Sequence, residues 1–252
     1  MKFVILLLSS LLLAACGGGG GGGAPAPAGP VASTQGFPLK TIYKNSFLDA
    51  VNQGYSLAGN LTITGAGSGV VAVSGGGTNS YSPVSAATFE TKPGFQRTVT
   101  QSSTWTFTGP GGSSTVPISQ IQTTYVDVNY LLTGYSSAGS YTVPSGTVTL
   151  PETARVGESG TFANLISYTS SAKTIQNGTF VLSWALKADT ATTAIAELTQ
   201  VAFSSGVPTS TVVQRYRITP AGALTRIDAV ETVSNLSLGS GLFATGPITY
   251  TY

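Results

Sequence analysis

From Tyr55 onward, apolar and polar residues alternate with a period of two, and this alternation constrains the fold more than any other feature of the sequence. The clearest run places its apolar residues at every second position: Phe180, Leu182, Trp184 and Leu186. Ser183 and Lys187 occupy the opposite face of the same run. This is the pattern of a strand with one buried face and one face in water.

Five runs of this kind follow one another: 161–168, 178–187, 192–203, 210–219 and 223–233. Short polar turns with Gly, Pro or Asn separate them, and no helical crossover intervenes, so neighbouring strands are predicted to be antiparallel. The sequence therefore predicts an all-β fold with one short N-terminal helix, in which an antiparallel meander forms a curved sheet, half-barrel or flattened barrel. The order Pro151…Val156-Gly157-Glu158-Ser159 before these runs resembles exported bacterial families with half-barrel folds, and lipoprotein-carrier proteins have a related shape. This resemblance transfers no functional residue.

The segment 37–54 is the one predicted helix. Its apolar residues recur at helical spacing: Leu39, Ile42, Tyr43, Phe47 and Val51. Gly54 fits a C-terminal cap, and Asn45 or Ser46 fits the N-cap of a shorter helix. We expect this helix to pack on the sheet.

Three further elements are predicted in the first half: a hairpin of 95–108 and 115–124, its turn at 109–113, and a strand over 125–132. The glycine-rich run 75–80 predicts a flexible loop, because no helix pattern or Gly-Lys-Thr follows that would make it a phosphate site. The turn-rich segment 144–160 is the candidate boundary between two lobes. A long loop within one sheet is the alternative.

The N-terminus has the form of an export signal. Lys2 precedes an apolar run over 3–13, which is shorter than the about 20 residues that a membrane-spanning helix needs. Leu13-Ala14-Ala15-Cys16 follows, and Cys16 is the only cysteine. This tetrad resembles the lipobox of bacterial lipoproteins. The resemblance implies a diacylglycerol on the Cys16 thiol, removal of the signal peptide 1–15, and acylation of the new amine, since one acyl chain alone gives marginal anchoring.

Residues 16–36 are predicted to be a disordered tether, and residues 37–252 the β domain. Seven glycines and then an Ala/Pro-rich stretch have little side-chain surface to bury and much backbone entropy to lose. Gly17, rather than an acidic residue, follows Cys16, and in enteric bacteria this arrangement directs a lipoprotein to the outer membrane. We therefore expect a lipid-anchored protein of the bacterial cell envelope, at the outer membrane.

Composition argues against several function classes. The chain has eleven Lys and Arg against nine Asp and Glu, and removal of Lys2 with the signal leaves ten basic residues. A nearly neutral chain gives no argument for a nucleic-acid partner. The sequence has no histidine, and lipidation of Cys16 leaves no thiol, so the commonest general base and metal ligands are missing. We expect no metal and no cofactor.

An enzyme built on this sequence would depend on carboxylates or on a Ser-Lys pair. Ser170 and Lys173 have the Ser-x-x-Lys spacing, but they lie in a predicted turn without the partner motifs of such enzymes. Glu90 and Asp127 would need to come within about 5–10 Å of each other to act as a glycoside hydrolase pair, and nothing in the sequence joins them. We therefore predict that the protein is not an enzyme.

Two surfaces are candidates for ligand binding. Tyr125, Asp127 and Asn129 would combine a stacking ring with hydrogen-bonding groups, as a glycan requires; the alternative is that tyrosines merely cover a sheet margin. Arg215 and Arg217 share a face and would form an anion-binding patch. The alternative is that outward arginines pair across the sheet with the nearby acids Asp228, Glu231 and Glu197.

The leading hypothesis is a membrane-tethered envelope lipoprotein that acts as a non-catalytic binding or structural module. Its first partner is the membrane, through the lipid on Cys16, and a glycan or lipid is the expected ligand. The alternative is a carrier or chaperone for a lipid or another hydrophobic ligand, held on an apolar concave face around Phe180, Trp184 and Leu186. A carboxylate-only glycoside hydrolase ranks last. The sequence predicts no particular oligomeric state.

Overall fold

The computed structural model describes residues 30–48, 51–65, 68–239 and 242–252. The predicted signal peptide, the lipobox with Cys16 and most of the predicted tether lie outside these residues.

One helix and thirteen strands form within the described residues. The helix, α1, is Leu39–Leu48. The strands are β1 Gln53–Thr64, β2 Gly69–Tyr81, β3 Ser85–Phe89, β4 Lys92–Gly109, β5 Gly112–Asp127, β6 Leu132–Ser137, β7 Ser140–Pro144, β8 Ser159–Tyr168, β9 Gln176–Ala188, β10 Ala194–Ser204, β11 Val207–Ile218, β12 Leu224–Gly239 and β13 Leu242–Thr251.

Twelve of these strands close into an antiparallel barrel whose order around the wall follows the order along the chain. β1 pairs with β2 on one side and with β13 on the other, which joins the first strand to the last. β2 pairs with β4. The short β3 pairs with the first residues of β4 and continues the path of β2 along the same edge. The predicted all-β class and antiparallel meander are confirmed, and the sheet forms a barrel.

Side chains alternate between the interior and the outer surface of the barrel. On β1, Tyr55 and Leu57 are buried, whereas Ser56 and Ala58 between and beyond them are exposed. The interior contains two apolar clusters. One comes mainly from β6, β8 to β11 and α1, and the other from β1, β2, β4, β12 and β13. Burial of these side chains is the main favourable term in the folding free energy.

The helix α1 packs against one end of the barrel, as predicted. Its Leu39 and Ile42 are buried in the first apolar cluster. The segment before it is held by backbone bridges of Val31 to Asp189 and of Phe37 to Ala154. The same end of the barrel carries the β11–β12 turn, whose Gly222 carbonyl accepts a hydrogen bond from Asn45 of α1.

The predicted C-terminal boundary of the helix is wrong, because α1 ends at Leu48 and Gly54 belongs to β1. A distant side chain explains the difference. The Arg97 guanidinium on β4 donates to the Phe47 and Leu48 carbonyl oxygens, at 2.6 and 2.9 Å. A cation that donates to the last carbonyls stabilises a helix end there. Val51, counted in the predicted apolar stripe, is 42% exposed.

Replacement of Arg97 by Met should lower the stability of the barrel by about 2 kcal/mol, because the carbonyls of Phe47 and Leu48 lose a charged donor. For a domain of this size that corresponds to a fall in Tm of about 4–8 °C, measurable by circular dichroism. Arg155→Met, at an exposed position, is the matched control and should change Tm by no more than about 2 °C. Equal shifts in the two variants would show that Arg97 does not hold the helix end.

The glycine-rich run 75–80 forms part of β2, so the predicted loop is wrong. β4 approaches this strand so closely that side chains are excluded. A Cβ built on Gly75 would overlap the carbonyl oxygen of Thr104, and one built on Gly77 would overlap that of Ser102. Glycine inside a strand marks such a close approach of another backbone.

The long hairpin is confirmed as β4 and β5, with residues 110–111 in its turn. The strand predicted over 125–132 is wrong: residues 125–127 end β5, a turn follows, and Leu132 begins β6. Tyr130 in this turn has a φ of 63°, which interrupts an extended strand. The segment 145–158 joins β7 to β8, and these two strands pair directly with each other.

Candidate functional site

The first predicted ligand surface lies where β5 ends. Tyr125 is on the outer face of β5, because its neighbours Thr124 and Val126 are buried in the interior. Its ring stacks on Phe89 of β3, with ring centroids 4.2 Å apart, and its hydroxyl lies 3.1 Å from Ser136 Oγ. One face of the Tyr125 ring is therefore covered by the protein itself.

Asp127 and Asn129 shape the turn between β5 and β6. Asp127 Oδ1 accepts the backbone N–H groups of Asn129, at 2.8 Å, and of Leu131, at 2.9 Å. An aspartate that hydrogen-bonds the backbone two residues on stabilises a turn. In this fold the Asp127 carboxylate therefore stabilises the turn by accepting these two backbone N–H groups.

The β3–β4 turn is fastened to the outside of the barrel. Phe89 also stacks on Tyr141 of β7, with centroids 5.0 Å apart. Glu90 accepts hydrogen bonds from the Tyr141 hydroxyl, at 2.7 Å, and from Lys173 Nζ, at 2.6 Å. The bond from Lys173, followed by that from Tyr141, lowers the pKa of Glu90. Glu90 and Asp127 thus have separate structural partners.

Trp184, the fourth predicted ligand residue, faces the interior. It is 7% exposed and belongs to the apolar cluster that includes Phe180 and Leu186, together with Leu39 of α1. The apolar face predicted around Trp184 therefore exists, and α1 packs against its cluster.

Arg215 and Arg217 lie on the outer face of β11 and are paired with acids. Arg215 Nε donates to Asp228 Oδ1 at 2.7 Å, and its Nη2 contacts the second carboxylate oxygen. Arg217 donates to both carboxylate oxygens of Asp189, at 2.7 and 3.2 Å. The hydrogen bond from Arg217 lowers the pKa of Asp189, and each arginine pKa is raised by its acid. Arg215 therefore has one of the acids that the cross-strand pairing alternative named, whereas Arg217 pairs with Asp189, which that alternative did not name.

The structure does not bring the predicted ligand residues together. Tyr125 lies on the outer face of β5, Trp184 inside the barrel on β9, and Arg215 and Arg217 on the outer face of β11. Between β5 and β9 the barrel wall contains three further strands.

Sequence reasoning did not identify a set of polar side chains buried inside the barrel: Asn79, Gln101, Ser103, Gln122, Thr124, Gln200, Gln214, Arg226 and Glu231. Most come from β4 and β5 or from β10 to β12, the strands at which one apolar cluster gives way to the other. A buried polar group raises the free energy of the folded state unless it is hydrogen-bonded. This interior polar set is therefore the candidate functional site.

Arg226 is the cation of the interior polar set and is only 8% exposed. Its guanidinium carbon lies 3.5 Å from the ring centroid of Tyr252 and 5.9 Å from that of Tyr216. The Tyr216 hydroxyl donates to Gln214 Oε1 at 2.6 Å. The planar guanidinium is thus placed against aromatic rings, an arrangement that stabilises a cation without neutralising it.

Glu231 is the acid of the interior polar set. It is 4% exposed and accepts a hydrogen bond from the Tyr250 hydroxyl at 2.7 Å. Burial raises the pKa of Glu231, and the bond from Tyr250 opposes this effect only in part. Tyr55 packs against Tyr250, with centroids 5.8 Å apart, and its hydroxyl bonds to Gln101.

Several atoms of the interior lack partners within the part of the chain that the structure describes. They are Arg226 Nε and Nη1, Gln200 Nε2 and Gln53 Oε1, each buried and without a hydrogen bond. None of the ion pairs between described residues includes Arg226. Unsatisfied buried donors are rare in folded proteins and point to an additional bound group such as a ligand or water.

A β-bulge explains why alternation alone could not find Arg226. Arg215 pairs with Asp228 and Tyr216 pairs with Arg226, so Ile227 is the extra residue between them. Two residues apart, Arg226 and Asp228 would share one face of a regular strand. The bulge turns Arg226 into the interior while Asp228 stays outside with Arg215.

Among the described residues, no three His, Cys, Asp or Glu side chains group closely enough to hold a metal ion. The one described helix, α1, has ten residues and does not have the length and apolar character of a membrane span.

Comparisons of this chain with protein-family models, with curated proteins and with solved structures gave no match. The class of the protein therefore follows from fold and site together. Within the described residues it is a closed, twelve-stranded, up-and-down barrel whose interior combines two apolar clusters with buried polar atoms that lack partners.

Proposed function

We propose that this protein is a lipid-anchored module of the bacterial envelope whose barrel binds a small ligand in its interior without catalysing a reaction. The observation that carries the proposal is the set of buried polar atoms without partners, on Arg226, Gln200 and Gln53. Buried polar atoms without hydrogen bonds lower the stability of a protein, so a bound polar molecule that hydrogen-bonds to these atoms would stabilise the fold.

The tether supports a location at a membrane surface. The tetrad ending in Cys16 supports lipid attachment, and the outward positions of β1 are suited to water. On β1 the exposed positions between the buried residues are small or polar: Ser56, Ala58, Asn60, Thr62 and Thr64. Val31, within the predicted tether, pairs with Asp189 at the end of the barrel where α1 packs. In this proposal that end faces the outer membrane.

The surroundings of the carboxylates favour binding over catalysis. Glu90 is held by Lys173 and Tyr141, and Asp127 is held by backbone N–H groups. A general acid or a nucleophile needs a carboxyl group that is accessible to substrate. These two acids instead connect elements of the fold, which supports a non-catalytic role.

The interior also favours a small polar ligand over an acyl chain. Phe180, Trp184 and Leu186, the residues expected to line a hydrophobic site, are buried among apolar neighbours that include residues of α1. The unsatisfied atoms, in contrast, are nitrogens and an oxygen. A carrier of hydrophobic ligands remains the second-ranked proposal.

Replacement of Cys16 by Ser should move the protein from the membrane fraction to the soluble fraction of disrupted cells, because the lipid has no attachment site. The far-UV circular dichroism spectrum and Tm should match those of the unchanged chain. Ser9→Ala, within the apolar run of the signal, is the control and should leave the protein in the outer-membrane band of a density gradient. A Cys16→Ser protein that still sediments with membranes would refute the anchor.

A further inference from the structure

Arg226 is the one Lys or Arg side chain that is buried among the described residues. Five of the other cations form ion pairs with acids: Lys40, Lys173, Lys187, Arg215 and Arg217. A buried guanidinium without an ion-pair partner is unfavourable, because the desolvation of the cation is not offset. The folded barrel therefore has one internal positive charge that attracts an anion.

Other groups near Arg226 define the surroundings of such an anion. The Tyr252 ring, stacked on Arg226, lies 5.9 Å from the ring of Tyr55 on β1. Gln53 is the next inward position of β1 beyond Tyr55, and its Oε1 is buried without a partner. Arg226 on β12, Tyr252 directly after β13, and Tyr55 and Gln53 on β1 thus form one neighbourhood. It lies toward the end of the barrel where the β11–β12 turn contacts α1.

The single positive charge of this neighbourhood favours an anion with one negative charge. Arg226 offers one positive charge, and no second cation is buried among the described residues. A carboxylate carries one negative charge, whereas a phosphate monoester carries about 1.5–2 at neutral pH and would remain partly unneutralised in the interior. Arginine also suits the planar geometry of a carboxylate. Tyrosine rings beside it suit an apolar or aromatic body on the same ligand.

We propose that Arg226 is the anchor of an internal binding site for a small monocarboxylate, whose carboxylate contacts the unpaired guanidinium nitrogens while the rings of Tyr216 and Tyr252 enclose it. This inference deepens the proposed binding function and depends on it. Gln53 Oε1 accepts a hydrogen bond from a donor on the ligand, such as a hydroxyl group.

The test uses the full chain in detergent, with acetate and benzoate as probes, measured by isothermal titration calorimetry and by thermal unfolding. Benzamide, uncharged and of the same shape as benzoate, and inorganic phosphate are the comparison compounds. We expect benzoate to bind with saturation and to raise Tm, and benzamide and phosphate to bind at least tenfold more weakly.

Arg226→Met keeps the length of the side chain and removes the charge. This substitution should raise the dissociation constant for benzoate by about tenfold to a hundredfold, because the hydrogen bonds between the guanidinium and the carboxylate are lost. Without ligand it should raise Tm by a few degrees, because no unneutralised charge is then buried. Arg215→Met, on the outer face beside Asp228, is the matched control and should bind benzoate like the unchanged chain.

Three outcomes would overturn the inference. Equal binding of benzamide and benzoate would show an interior site that does not recognise the carboxylate, so the proposed binding function would stand while this inference failed. Benzoate binding unaffected by Arg226→Met would place the carboxylate elsewhere. A lower Tm of ligand-free Arg226→Met, together with no binding of any probe, would identify Arg226 as a structural residue satisfied by internal water, and the interior-ligand proposal would then fail as well.

Discussion

Replacement of Gly75 by Ala should destabilise the barrel by about 3 kcal/mol and lower its Tm by about 6–12 °C. A Cβ at this position of β2 would overlap the Thr104 carbonyl oxygen, and the close atoms are all backbone atoms of β4. Backbone cannot move aside as a flexible side chain can. The β2–β4 pairing that closes the barrel must therefore open locally to admit one methyl group. Thermal and urea unfolding monitored by circular dichroism measure the effect.

Gly69→Ala is the matched control because it lies in the same strand. A Cβ on Gly69 would meet no atom within 4 Å, so only the backbone preference of alanine changes. The control should alter the free energy of unfolding by no more than about 1 kcal/mol in either direction. If Gly75→Ala were as stable as Gly69→Ala, the close approach of β4 to β2 would be incorrect, and the closure of the barrel would be in question.

Replacement of Glu231 by Gln should stabilise the protein at neutral pH by about 1–3 kcal/mol, because a buried ionisable group is replaced by a neutral group of the same shape. The Gln side-chain oxygen can still accept the hydrogen bond from the Tyr250 hydroxyl. Chemical unfolding at pH 7 measures the gain. Glu152→Gln, at a surface position paired with Lys40, is the control and should change the stability by less than about 1 kcal/mol.

The pH dependence of this effect has a definite sign. The folded-state pKa of Glu231 is raised above the ordinary value of 4.5, so the folded chain binds the proton more tightly than the unfolded chain. The contribution of Glu231 to stability is therefore most favourable below the unfolded pKa and declines as the pH rises from there through the folded pKa. The advantage of Glu231→Gln should accordingly shrink as the pH falls toward 4. An advantage that grows on acidification would show that the Glu231 carboxylate is ionised and stabilised in the folded state.

The strands were predictable because the polarity of each side chain indicates whether it faces the interior or the solvent. The runs that became β9, β10 and β11 were found within three residues of their predicted limits, because their apolar side chains lie at alternate positions. The run predicted over 223–233 became β12, which extends six residues further, to Gly239. The hairpin of β4 and β5 was predictable for the same reason, with its Gly-Pro-Gly-Gly turn as a second indication. Alternation of side chains and the composition of a turn depend only on residues that are neighbours in the sequence.

The predictions failed where a partner distant in the sequence decided the local structure. α1 ends at Leu48 because Arg97 contacts its last carbonyl groups. The run at Gly75 is a strand because β4 lies against it, although glycine alone favours a loop. Asp127 was expected to bind a ligand, and its carboxylate instead accepts two backbone N–H groups of the following turn.

By itself the sequence determined that the chain is a β protein of antiparallel neighbours with one short helix, because alternation, turn residues and helical spacing are local properties. Only the tertiary structure decided that β1 meets β13 and that the sheet closes, because this pairing joins residues almost two hundred positions apart. Only the tertiary structure, through the bulge at Ile227, decided that Arg226 faces inward while Asp228 faces outward. The candidate site consists of such inward polar residues. Sequence alone could not identify it, because the free energy of a buried charge depends on all the groups that surround it in the fold.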